Sequence, residues 1–148
     1  MRVTVRTARK ADKEQWLALR CKLWQDGTAD EHSRDIDNDI KDPVRECFVA
    51  LKGKEMVGFL ESSLRSIADN CCSSPVGYIE GWYVVPTARR KGVGAKLVKA
   101  AEAWARKKGC VDMASDAHAT NRRSITAHKR LGYTAHKPVI RFSKRIAR

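Results

Sequence analysis

Apolar and polar positions along this chain change period several times, and each change marks an element. Residues 3–7, Val3-Thr4-Val5-Arg6-Thr7, alternate with a period of two, as a half-buried strand does. From Asp12 the spacing lengthens to three and four, with Trp16, Leu19 and Leu23 on one face, which predicts a helix from Asp12 to near Trp24. Asp12-Lys13-Glu14-Gln15 resembles a capping box at its start. An acidic, partly helical stretch follows, with Ile36 and Ile40 expected inward. Runs of β-branched and aromatic residues predict strands over 46–51, 57–64 and 76–84, the first two joined as a hairpin through Lys52-Gly53-Lys54. Residues 66–75 read as a polar loop. Val93, Leu97, Ala101, Trp104 and Ala105 return to helical spacing, and Gly109 is placed to stop that helix. A strand over 111–115, a helix from about Asn121 to Arg130 and a final strand pair separated near Pro138 complete an α/β order with a mixed, mostly antiparallel sheet.

The junction between the 76–84 strand and the next helix carries the first chemistry. Ile79-Glu80-Gly81-Trp82-Tyr83-Val84-Val85-Pro86 runs into Arg89-Arg90-Lys91-Gly92-Val93-Gly94 and then into the amphipathic segment. A glycine-containing loop that opens a helix offers successive backbone N–H groups to an anion, which makes this a pyrophosphate site. It lacks the third glycine of the dinucleotide fingerprint and the Gly-Lys-Ser/Thr of a P-loop.

Here the chain resembles the GNAT family of acyl-CoA N-acyltransferases. The family signature, Arg/Gln-x-x-Gly-x-Gly/Ala after a strand of the form Leu-x-Val-x-Pro, is matched by residues 89–94 and 82–86. A second element, Asn followed by a short helix ending in Leu-Gly-Phe/Tyr, is matched by Asn121 and by Leu131-Gly132-Tyr133. The resemblance implies a GNAT fold whose central strands splay apart after the Val84 region, and acetyl-CoA as the acyl donor, its pantetheine inserted between them. The backbone of Tyr83 and Val84 would hold the pantetheine and polarise the thioester carbonyl. The backbone of Arg89, Arg90, Lys91, Gly92, Val93, Gly94 and Ala95 would hold the pyrophosphate, with Asn121 and Ser124 nearer the sulfur end. No metal is required.

An amine acceptor is mostly an ammonium near neutral pH and must lose a proton before it attacks, so the site needs a carboxylate or a carboxylate-bound water. Glu80, in the strand beside the expected thioester position, is the first candidate, and Asp116, just past the neighbouring strand, is the second. Many GNAT members carry a tyrosine four residues before the Leu-Gly-Phe/Tyr glycine, where it protonates the departing thiolate. This chain has His128 there, and a histidine can be protonated near neutrality. Tyr133 is an alternative donor.

One subgroup is most similar, the aminoglycoside 6'-N-acetyltransferases. The similarity rests on Leu23-Trp24, Ser73-Ser74-Pro75, Glu80-Gly81, Gly109-Cys110, Met113-Ala114-Ser115-Asp116 and the histidine at 128. It implies that Trp24 stacks on the antibiotic, that Glu80 and Asp116 bind its ammonium groups, and that Asp35, Asp37 and Asp39 complete a pocket for a polycation. It also implies a homodimer with the C-terminal strands at the interface.

Charge changes the picture in one respect. The formal net charge is +13, yet residues 26–46 hold eight acids against three bases, a local net of −5 that leaves the remainder at +18. Such segregation suits a two-substrate enzyme, basic toward the phosphates of coenzyme A and acidic toward a cationic acceptor. It argues against a nucleic-acid-binding module, which the total charge alone would favour. A polyamine or protein amine would fit the acidic segment as an alternative acceptor. Five cysteines in an odd count with no C-x-x-C pair argue against a disulfide framework and a zinc site. No apolar run reaches membrane-spanning length, the N-terminus lacks a signal-peptide stretch, and 148 residues read as one cytoplasmic domain.

Overall fold

The computed structural model describes residues 2–147. A five-stranded sheet in the order β1-β2-β3-β4-β5 forms its centre. The strands are β1 (Val3–Thr7), β2 (Arg45–Lys52), β3 (Glu55–Arg65), β4 (Val76–Val84) and β5 (Met113–Ser115). Three neighbouring pairs are antiparallel and the β4–β5 pair is parallel, the mixed sheet that the hydrophobic pattern predicts. The helices are α1 (Lys13–Leu23), α2 (Ala29–Lys41), α3 (Val93–Lys107) and α4 (Arg122–Arg130). Chain contacts divide the molecule into two compact units, Met1–Asp116 and Ala117–Arg148, where the sequence reading expects one domain. The sheet and the first three helices belong to the first unit.

Alternation along β2 and β3 sends residues to opposite faces of the sheet. Cys47, Val49, Met56 and Phe59 pack with Trp16 and Leu19 of α1 and Ile36 of α2 in one buried cluster. On the other face, α3 lies so close that a Cβ at Gly58 would come within 3.3 Å of the Leu97 side chain, and one at Gly77 within 2.8 Å of Ala105. Leu97, Val98 and Ala101 are fully or almost fully buried there, so α3 covers the sheet through its apolar stripe.

Several expectations need correction. Asp12 does not cap α1, since its carboxylate turns back to the Arg9 N–H at 2.7 Å and to the Arg6 guanidinium at 2.7 and 2.9 Å. That pairing, opposed by burial and helped by the Arg9 bond, holds Asp12 below the usual carboxylate range. Ile40 is 40 % exposed because only Ile36 meets the α1 and sheet core. The final strand pair is absent among the described residues, and 133–147 contain no regular element. Val139, Ile140, Phe142 and Ile146 stand exposed in that segment.

Candidate active site

Glu80 owes its position to an irregularity in β4. The β3–β4 register pairs Glu61 with Gly81 and Ser62 with Ile79, so Glu80 is the extra residue of a β-bulge. Beyond it the alternation changes phase. Tyr78 and Glu80 therefore share a face with Gly81 and Tyr83, the face on which α1 and α2 lie. Ser63 Oγ donates to Glu80 at 2.5 Å, and Arg65 reaches the same carboxylate through two bonds of 2.9 and 2.7 Å. Burial pushes the Glu80 carboxyl up, but these hydrogen bonds and the charge of Arg65 outweigh it and hold the group below its ordinary value. Glu80 is therefore an ionised acceptor across the working pH range.

Arg65 also lies over the Tyr78 ring at 3.4 Å, and Tyr78 donates its hydroxyl to Asp116 at 2.6 Å. Burial and that bond to Asp116 raise the Tyr78 phenol well above its ordinary value, so it stays a donor. One connected set thus runs from Ser63 through Glu80, Arg65 and Tyr78 to the exposed Asp116 at the end of β5.

Trp24 arrives at this face from the end of α1. A Cβ at Gly81 would run into the benzo edge of its ring, so only glycine at 81 lets the indole approach the strand this closely, one residue from Glu80. The ring meets Phe59 edge-on at 6.5 Å and stacks near His32 at 6.4 Å.

The three acids of α2 do not form one patch. Asp37 pairs with Lys13 at 2.7 Å, and that bond lowers its carboxyl. Asp35 pairs with Arg20 at 3.0 Å and keeps about half its side chain exposed. Asp39 is buried, 3.4 Å from Arg45, with its Oδ2 lacking a hydrogen-bond partner. Burial first, and then the negative charge of Glu61, push Asp39 up to about 7. The unfolded chain releases this proton near pH 4. The native chain keeps it until about pH 7 and so binds more protons in between, which makes stability fall as pH rises across that window. Thermal melts of the wild type should show a lower Tm at pH 8 than at pH 5, and Asp39→Asn should flatten the slope. An unchanged slope would place the native pKa of Asp39 near its unfolded value.

The donor side is built from the β4–β5 divergence and the loop after β4. β5 pairs with β4 only over Gly77–Ile79, so the strands part there, earlier than the Val84 region expected from sequence. Among the described residues no strand pairs with that side of β4 beyond Ile79. Val85 donates to the Val57 carbonyl at 2.9 Å, and by antiparallel alternation Tyr83 turns its backbone toward β3 while Trp82 and Val84 turn theirs to the open side. The Arg89 Nε caps the Val84 carbonyl at 2.7 Å and its guanidinium lies 5.5 Å from the Tyr83 ring, so this side chain braces the loop on the strand. Arg90 and Gly92 both have left-handed backbones, φ 62° and 81°, and Gly92 is the N-cap of the 15-residue α3. This curl and the first turn of α3, with its N–H groups lacking intrahelical acceptors, suit a diphosphate. Nothing lies within 4 Å of where a Gly92 Cβ would be, leaving room for one. Gly94 serves packing instead, since a Cβ there would meet the Trp82 ring at 2.9 Å. Val93 is buried, whereas Arg90 and Lys91 are exposed at the loop surface and Ala95 is half-buried in the first turn.

In the second unit, Asn121 caps α4 by accepting the Ser124 N–H at 3.1 Å. His128 holds its Nδ1 2.7 Å from the Ser124 carbonyl and 3.3 Å from the Ser124 hydroxyl, and meets Tyr133 edge-on at 5.8 Å. The five cysteines are free thiols, no group of metal-ligating side chains occurs among the described residues, and no described helix is long and apolar enough to cross a membrane.

The sequence reading missed Ser63, Arg65 and Tyr78 around Glu80, and the phase change that gathers them. Gly81 inside an otherwise β-branched and aromatic strand is the signal that could have found them, because an interior strand glycine marks a bulge or a close approach and here marks both.

Known proteins agree with this architecture. The aminoglycoside N(6')-acetyltransferase type 1 of Klebsiella aerogenes is 45% identical over 134 residues, covering 88% of this chain and 88% of that protein. Its namesake from Acinetobacter haemolyticus is 34% identical over 145 residues, covering 97% and 99%. The structure of AAC(6')-Iy in complex with the bisubstrate analogue CoA-S-monomethyl-acetylneamine superposes with a TM-score of 0.93 at 33% identity, covering 98% of this chain and 99% of that one. The profile of the acetyltransferase (GNAT) family matches residues 10–133. From the Gly92 loop, the parted strands and these relatives together, the chain belongs to the acetyltransferase (GNAT) family.

Proposed function

We propose that this protein transfers the acetyl group of acetyl-CoA to the 6'-amino group of an aminoglycoside, in a direct ternary complex, and so confers resistance. The observation that carries the reading is the pairing of the ionised Glu80 with the Trp24 indole around Gly81, on a strand whose edge stands open. An indole face and a carboxylate suit an aminosugar ring and its ammonium group. The relatives named for this reaction and the bisubstrate complex support the same chemistry. The diphosphate of the donor binds the 89–95 backbone, and its pantetheine adds to the outward N–H of Val84 and to the outward backbone of Trp82, two residues earlier. A backbone N–H there polarises the thioester carbonyl, and Glu80 takes the amine proton directly or through water as the amine attacks. Asp116, held by Tyr78, binds a further ammonium group, as does the exposed part of Asp35. His128, four residues before Gly132, is the proton donor for the leaving sulfur in this reading. Asn121 and Ser124 serve the donor's sulfur end.

Thiol release from acetyl-CoA, followed for kanamycin, a 6'-hydroxyl congener and spermidine, tests the function. Turnover with kanamycin alone, with the acetyl group found on the 6' nitrogen, supports it. Turnover with spermidine alone would make the protein a polyamine acetyltransferase, and retention on nucleic acid with no thiol release would remove the enzyme reading. For the donor site, Gly92→Val should raise the acetyl-CoA KM about tenfold or more, because a β-branched residue strains at φ 81° by about 1–2 kcal/mol and fills the space left open. An unchanged KM in the folded variant would displace the diphosphate from this loop. The exposed Val139, Ile140, Phe142 and Ile146 support a homodimer that covers the 133–147 segment, and cytoplasmic residence follows from the intracellular acetyl-CoA it needs. Light scattering that gives a monomer mass would remove the dimer.

A further inference from the structure

Behind Trp24 lies a buried polar cluster that the reaction does not use. Glu61 in β3 is fully buried, and Arg20 and His32 are 7 % and 5 % exposed. Glu61 accepts from Trp16 Nε1 at 2.9 Å and from Arg20 through Nε at 2.8 Å and a second nitrogen at 3.2 Å. The remaining arm of Arg20 lies 2.8 Å from His32 Nδ1 and 3.0 Å from Asp35. A guanidinium can only donate, so His32 Nδ1 is the acceptor and its Nε2 carries the hydrogen that reaches the Trp24 carbonyl at 2.9 Å.

Trp24 is tied to this cluster at its carbonyl and at its ring, besides its edge contact with Phe59. Its backbone N–H closes the last turn of α1 on the Arg20 carbonyl at 2.9 Å, whereas its carbonyl accepts from His32 and its ring lies 4.6 Å from the Arg20 guanidinium. The far side of the ring is limited by Gly81. We propose that Glu61, Arg20 and His32 are positioning residues that hold the Trp24 indole at the angle at which it receives the acceptor. The inference rests on the reading of Trp24 as an acceptor-binding residue. Glu61 fixes the guanidinium by two bonds, and the guanidinium then sets both the indole and the tautomer of His32, which anchors the backbone of Trp24 where α1 ends. Because Asp35 shares the same arm of Arg20, the acid that binds an ammonium group and the indole that receives the sugar are set by one side chain.

A double-mutant cycle between His32 and Trp24 tests this, with KM and kcat for kanamycin and KM for acetyl-CoA as readouts. His32→Phe keeps a ring of similar shape and removes both hydrogen bonds. Alone it should raise the kanamycin KM about tenfold, within the coupling range of residues in one network, and leave the acetyl-CoA KM within about twofold. In a Trp24→Ala background the same change should cost no more than about twofold, since the residue it acts through is gone. If His32→Phe does not fold, His32→Asn enters the same cycle, keeping an acceptor for Arg20 and losing the reach to the Trp24 carbonyl. Losses that multiply independently would overturn the positioning role while leaving Trp24 its contact. A Trp24→Ala enzyme with unaltered kanamycin KM would instead remove the acceptor reading of Trp24, and the positioning role with it.

Discussion

A Glu80→Gln enzyme is expected to lose about 10²- to 10⁴-fold in kcat, the usual loss when a general base is removed, while its acetyl-CoA KM stays near that of the wild type. Glutamine keeps the size of the side chain and a partner for Ser63, but it neither accepts a proton nor balances Arg65. The pH dependence separates the roles. Since Arg65 and Ser63 hold Glu80 ionised well below neutrality, its own titration cannot produce a rise in activity between pH 6 and 9. That rise belongs to the acceptor amine, and the deficit of the variant should shrink toward high pH, where more of the amine arrives deprotonated. A variant with near-normal kcat at every pH would leave Glu80 a binding residue and rest catalysis on positioning. Asp116→Asn should act mainly through the acceptor KM, since the exposed Asp116 is anchored by Tyr78 at the rim of the face.

Removing Glu61 should have the largest effect on stability. Glu61→Ala leaves the Arg20 guanidinium buried beside one half-exposed acid and deprives Trp16 of its acceptor, a change that costs about 3–5 kcal/mol when one partner of a buried ion pair is deleted. For a chain of this size the Tm should fall by roughly 10 °C or more in a far-UV melt. The double change Arg20→Met with Glu61→Leu removes both charges and should recover most of that loss, because an apolar pair of similar volume often replaces a buried ion pair at little cost. A Glu61→Ala protein that melts with the wild type would show that Arg20 finds water or Asp35 sufficient.

The regular elements were legible wherever one face alone is buried. Period-two alternation placed β1, and a run of β-branched and aromatic residues placed β4, at the observed residues, while the spacing of Val93, Leu97, Ala101 and Ala105 marked the buried stripe of α3. The turn into α3 was legible because its demand is local, a glycine at a left-handed position before a helix. What escaped was set by registration between distant segments. Gly81 points to a bulge in β4, but only the registration opposite Glu61 and Ser62 makes Glu80 the surplus residue. The acids of α2 looked equivalent in sequence, yet the neighbours across space give Asp35 an arginine, Asp37 a lysine and Asp39 a buried carboxylate neighbour. The final strand pair expected around Pro138 is not formed among the described residues, where 133–147 carry no regular element.

The short β4–β5 pairing has a consequence for how the sheet assembles and breathes. β1 to β4 are antiparallel neighbours in chain order, whereas β5 joins in parallel over three residue pairs and only after residues 85–112 have crossed over the sheet. Contacts between distant segments are closed late in folding and open early in the native state. In hydrogen exchange the amides of β5 should therefore lose protection before those of β2 and β3. The opening beside β4 that we propose admits the thioester is flanked by the least secured strand of the sheet, so widening it disturbs none of the pairing among the first four strands.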